Sequence, residues 1–155
     1  MQGASVQGKS HVERNTACQD AHDWQVGIGT DEEGAGGEEW LFAAVADGAG
    51  SSERSDEGAK EAVGAALEAV TGDALSGAFE EDAEAPSEDL EDLLVSGMQE
   101  AISAVEELAE DEEARPSDFS STLLLLAAGP SCAAAAQVGD GAVVYESSRG
   151  EYSLM

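Results

Sequence analysis

The sequence predicts an α+β domain, with two helices lying on one face of a largely antiparallel sheet. Strand-like apolar runs open the chain, and two stripes of apolar residues at three- and four-residue steps occupy its middle. Further apolar runs, separated by glycine turns, close it. The 155 residues fit one domain spanning residues 1–155, and a 42% apolar composition is enough to build a core.

Each element follows from its local pattern. Residues 4–6 form a short strand candidate. Residues 24–28 place Trp24, Val26 and Ile28 at alternate positions, as a half-buried strand does. Residues 30–39 are rich in glycine and acid and read as a hairpin loop. The continuous apolar run 40–46 predicts a buried strand ending at Asp47-Gly48-Ala49-Gly50. A helix follows, because Ala59, Ala62, Val63, Ala66, Leu67 and Val70 draw one apolar stripe. Ser51, Ser52 and Ser55 are its candidate N-caps, and Asp56 and Glu57 suit the positive end of its dipole. Residues 71–85 read as an acidic loop. A second helix starts after Pro86-Ser87, with a stripe of Leu90, Leu93, Leu94, Gly97, Met98, Ala101, Ile102, Val105 and Leu108. Residues 120–128 and 132–138 are strand candidates around a turn at 129–131. Gly139-Asp140-Gly141 then turns tightly into a last strand at 142–145.

Charge excludes several classes of function. The chain carries 34 Asp+Glu against 6 Lys+Arg, a formal net charge of −28. Phosphate neutralisation needs clustered Lys and Arg, so nucleic acid is excluded as a partner, and so is an anionic membrane surface. No window approaches about 18 consecutive apolar residues, and the start lacks a basic region followed by an apolar one. A cytoplasmic location is the expectation. From Glu61 to Ala114 there are 18 acids and no Lys or Arg, against four acids from Pro116 to Met155. This is a solvated acidic face, with the balance expected of a halophilic protein whose self-repulsion is screened by salt. Cys18 and Cys132 stand 114 positions apart with no CxxC and read as reduced thiols.

Three acidic turns lie outside the acidic helices: Gln19-Asp20, Asp47-Gly48 and Gly139-Asp140-Gly141, each beside an apolar run. A carboxylate held where a strand ends presents a hard oxygen ligand to Mg²⁺ or Mn²⁺. An adjacent glycine lets the backbone approach and offers a carbonyl. Singly, each is a turn signal; together and in this order they are far more specific.

The sequence resembles the metal-dependent protein phosphatases of the 2C type, the PPM family. The resemblance rests on Ser10-His11 through Cys18-Gln19-Asp20-Ala21 and on Val45-Ala46-Asp47-Gly48-Ala49-Gly50-Ser51. Phe119-Ser120-Ser121-Thr122-Leu123 and Gln137-Val138-Gly139-Asp140-Gly141 complete it. The first stretch is similar to a bacterial subgroup, and together the motifs cover nearly the whole chain. The resemblance implies a four-layer α-β-β-α sandwich with a two-metal centre of Mg²⁺ or Mn²⁺ at one end. Asp47 would bridge both metals, Gly48 would offer its carbonyl, and Asp20 would support a metal through water, with Gln19 in a lesser supporting role. Asp140 would lie near the metals and recruit a further ion. A metal-activated hydroxide would attack phosphorus in line, with Asp47, Asp20 and Asp140 as the catalytic set. Ser121 and Thr122 would hydrogen-bond beneath the site without acting as nucleophiles.

The departures are specific. Many relatives carry an arginine where Asn15 stands, so Arg14 and His11 are the candidate phosphate-binding residues. A histidine that some relatives place after Asp-Gly is Ala49 here. The family's later acidic turns, each supplying a ligand to the first metal, are missing before Met155, so the sandwich is expected to be incomplete at its C-terminal side. Two functions are therefore expected. One is a metal-dependent phosphatase acting on phosphoserine or phosphothreonine in a phosphoprotein. The other is a catalytically incomplete half-domain serving as a regulatory module for a kinase or a von Willebrand-type partner.

Overall fold

A computed structural model describes residues 18–30, 36–75 and 86–155. The strand candidate at residues 4–6, together with His11 and Arg14, lies outside the described residues. Strands β1 (Asp20–Thr30), β2 (Gly36–Asp47), β3 (Leu123–Ala128) and β4 (Ala133–Val138) form one sheet in that order, each antiparallel to its neighbour. Helices α1 (Ser55–Leu75) and α2 (Pro86–Asp111) occupy the connection from β2 to β3, followed by a 3₁₀ turn, Pro116–Phe119. A separate two-stranded hairpin, β5 (Val144–Glu146) and β6 (Tyr152–Leu154), ends the chain. This is the expected α+β class.

Both helices cover the same face of the sheet. Trp40, Phe42, Ala44 and Ala46 of β2 alternate into the core with Leu123, Leu125 and Ala127 of β3. From the helices come Ala59, Ala62, Val63, Ala66, Leu67 and Val70, then Leu90, Leu93, Leu94 and Ala101. The predicted α1 stripe is thus wholly buried. In α2 the stripe holds except at Ile102, which is 55% exposed. Ile102 lies beyond the edge of the sheet, along a shallow apolar groove with Met98, Val105 and Val138.

The other face of the sheet differs. By register, Trp24 and Val26 stand beside Ala43 and Leu41, which stand beside Leu126 and Ala128. Val26 and Val45 on this face are 54% and 50% exposed, whereas Phe42 and Ala44 on the opposite face are 1% and 0% exposed. Among the described residues no helix or strand layer packs on this second face, and β5 and β6 contact only each other. Of the four layers expected, one helical layer and one full sheet are described.

Several local expectations are corrected. Within the segment read as a hairpin loop, Thr30 and residues 36–39 are strand, because β1 runs to Thr30 and β2 starts at Gly36. Helix α1 runs past Thr71 to Leu75, and the Thr71 hydroxyl is satisfied by the Leu67 carbonyl at 2.6 Å, the back-bond a helix interior allows. Strand β3 starts at Leu123 rather than residue 120, since residues 116–119 wind into the 3₁₀ turn. The last strands are 144–146 and 152–154 rather than 142–145. The serines are not caps. Ser52 Oγ donates to the Ser117 carbonyl, the Ser55 hydroxyl bonds Gln19, and the Glu57 and Gly58 N–H groups bond the Arg54 carbonyl.

Candidate functional site

The site is built where β1 begins and β2 ends. Antiparallel register makes Asp20 and Asp47 direct cross-strand partners. They share the face of Trp24, Ala43 and Val45, the one the helices leave open, and both are exposed. Like charges facing each other across a strand pair are unfavourable by themselves. Such a pair is suited to a cation.

The backbone around Asp47 is held from both flanks. Its N–H donates to Thr122 Oγ1 at 2.9 Å, and its carbonyl accepts the Thr122 N–H at 2.8 Å. Gly48 N–H donates to the Gln19 carbonyl at 3.0 Å and Gly48 bridges to Ser121, while Ala49 N–H donates to the Ser120 carbonyl at 2.9 Å. Residues 47–49 are therefore fixed between the start of β1 and the segment entering β3. As expected, Ser121 and Thr122 line the floor of the site, and Thr122 does so through hydrogen bonds.

Gln19, Asp47 and Gly48 line one open depression of about 450 Å³ with Ala49, Gly50, Ser120, Ser121 and Thr122. Asp20 is not part of that lining, and neither is Asp140. It follows Gly139, whose φ of +111° belongs to glycine's range and whose missing Cβ leaves room for the Thr122 methyl. Thr122 thus touches both the Asp47 turn and the turn that carries Asp140. Beside Asp20, Cys18 Sγ approaches Oδ2 at 3.9 Å.

Behind the site, Arg54 organises the packing. Its guanidinium sits 4.6 Å over the Phe119 ring and pairs with Glu57 and Glu112. The hydrogen bond from Arg54 holds the Glu57 carboxyl below the usual carboxylate range, and the Arg115 hydrogen bond does the same for Asp118.

Donor chemistry tests the fit to a divalent ion. Asp20 and Asp47 are hard oxygen donors of the kind Mg²⁺ and Mn²⁺ take. Among the described residues no group of three or more His, Cys, Asp or Glu side chains gathers at one point. Strand register makes Asp20 and Asp47 Cα partners, and of the two only Asp47 lines the depression. No helix among the described residues is long and apolar enough to cross a membrane. Sequence reasoning missed Ser55, a buried residue bonded to Gln19. It sits in a serine-rich run that reads as a set of helix caps, and no spacing signal sets it apart.

Comparison with known proteins gives the family. The chain is 32% identical over 150 residues to serine/threonine-protein phosphatase 3 of Escherichia coli (strain K12), covering 95% of this chain and 53% of that protein. It therefore spans about half the length of the curated relative it matches. No solved structure matches. Residues 7–155 match the protein phosphatase 2C family, a family that is generally metal-dependent. With nearly the whole chain matched by the family model and by this relative, the chain belongs to the protein phosphatase 2C family.

Proposed function

We propose that this chain carries the Asp20–Asp47 portion of a divalent-metal-dependent phosphatase centre acting on phosphoserine or phosphothreonine in a phosphoprotein. The observation that supports it most is the cross-strand pairing of Asp20 with Asp47 beside a glycine whose backbone is fixed on both flanks. Asp47 and the Gly48 carbonyl are the proposed ligands for Mg²⁺ or Mn²⁺, Asp20 the supporting acid with Gln19 in a lesser role, and Asp140 the acid that recruits a further ion from the turn packed on Thr122. When bound, such ions supply an activated water and offset charge on the phosphoryl group. The chain's own residues orient this chemistry: Thr122 fixes the Asp47 peptide, and Gln19 fixes that of Gly48. Arg14 and His11 are the proposed phosphate contacts. Residues 1–155 act as one unit of the phosphatase domain in this reading, at work in the cytoplasm.

Hydrolysis of a phosphoaryl ester by the 155-residue chain, with and without Mn²⁺, is the test. Mn²⁺-stimulated turnover is expected, and Asp47→Ala should abolish it. Turnover indifferent to Asp47 defeats the proposal. A second reading, a regulatory module partnered by a kinase or a von Willebrand-type domain, is favoured by the uncovered apolar face of the sheet. It predicts no turnover at any Mn²⁺ concentration.

A further inference from the structure

We infer that Ser55 is a positioning residue for the Asp20–Asp47 pair, acting through Gln19; the inference rests on the proposed metal reading of that pair. Ser55 is the first residue of α1 and is 0% exposed. Its hydroxyl accepts a 2.6 Å hydrogen bond from Gln19 Nε2, and Gln19 is itself buried. Gln19 immediately precedes Asp20, and its carbonyl accepts the N–H of Gly48, which immediately follows Asp47. One side-chain bond therefore joins the helix start to the residue before one carboxylate and the residue after the other.

The packing at this junction has no slack. A Cβ on Gly48 would stand 2.8 Å from the carbonyl oxygens of both Gln19 and Ser55, and 2.9 Å from Ser55 Cβ. The three backbones touch, so a shift at Ser55 is passed to the Asp47-Gly48 peptide. Ser55 stands one residue inside the helix, after Arg54, whose carbonyl accepts the Glu57 and Gly58 N–H groups, so Ser55 does not hold the N-cap position. A space-filling position would be served by alanine without burying a hydroxyl and an amide, whose desolvation must be offset. The partner that offsets it, Gln19, precedes Asp20 and accepts the Gly48 N–H through its carbonyl. Outer residues of this kind orient metal ligands without touching the ion.

The test is calorimetric titration of the full chain with Mn²⁺ alone, beside amide NMR of the metal-free protein. Wild type, Asp47→Ala, Ser55→Ala, Gln19→Ala and the Ser55→Ala/Gln19→Ala double variant are compared. Ser55→Ala should weaken Mn²⁺ binding about tenfold. The double variant should lose no more than either single one, because both changes break one bond. In the metal-free spectrum the Asp20 and Gly48 amide signals should move while those in the middle of α1 stay. Wild-type Mn²⁺ affinity in Ser55→Ala, with a lowered unfolding temperature, assigns Ser55 a structural role only and overturns the inference. Wild-type Mn²⁺ binding that does not depend on Asp47 overturns the metal reading and the inference with it, and the Asp47→Ala arm separates the two failures. If Ser55→Ala does not fold, Gln19→Met, which keeps the length and drops the amide, is read against the same two outcomes.

Discussion

Thr122 shows how a single side chain ties the site together. Its hydroxyl and its N–H hold the two ends of the Asp47 residue, and its methyl fills the space that Gly139 leaves. Thr122→Val keeps the shape but leaves the Asp47 N–H without that acceptor, which should cost about 1 kcal/mol. Urea unfolding reads the loss, and Thr122→Ser, which retains the oxygen, should recover most of it. A Val variant as stable as wild type would show that the bond is not made in solution. At this scale the motifs were informative: Asp20 and Asp47 were singled out because each sits in an acidic turn beside an apolar run, and Thr122 through the family resemblance. Ser55 was invisible because its meaning lies in Gln19, 36 positions away, and no local pattern records such a contact.

Strand β2 carries the test of the architecture. Residues 40–46 form a continuous apolar run, which predicts burial on both faces, yet the helices bury only one of them among the described residues. Phe42→Ala should therefore cost about 3–5 kcal/mol. Val45→Ala, three positions on and on the open face, should stay within about 0.5 kcal/mol. Comparable losses at the two positions, measured by denaturant unfolding, would mean that both faces are covered in solution. The helices were legible because a 3.6-residue stripe survives in any sequence that buries one side of a helix. Their ends were not, since residues 71–75 carry the glycine and acid of a loop pattern and yet continue α1 to Leu75. The 3₁₀ turn is another tertiary product: its Phe119 is fully buried beneath Arg54, whose partners come from α1 and from the chain just after α2.

For the molecule as a whole, charge and the open face set the behaviour. With a net charge of −28, self-repulsion opposes the compact state, and the ion pairs of Arg54, Lys60 and Arg115 offset a small part of it. Screening acts within about 3 Å at molar salt, so KCl should raise the thermal unfolding midpoint over that in dilute buffer. No gain in molar KCl would sink the halophile reading. The apolar face that no described element covers gives the rest of the picture: Asp20 and Asp47 stand at the end of the row formed by Trp24, Val26, Leu41, Ala43 and Val45. By itself the sequence determined the α+β class, the two helical stripes and the acidic turns that carry the family, because periodicity and turn chemistry are written in neighbouring residues. Only the tertiary structure decided that Asp20 faces Asp47, that Thr122 and Gln19 brace the turn between them, and which face of the sheet the helices take. Those facts depend on strand register and on contacts between residues far apart in the chain, and no local pattern encodes them.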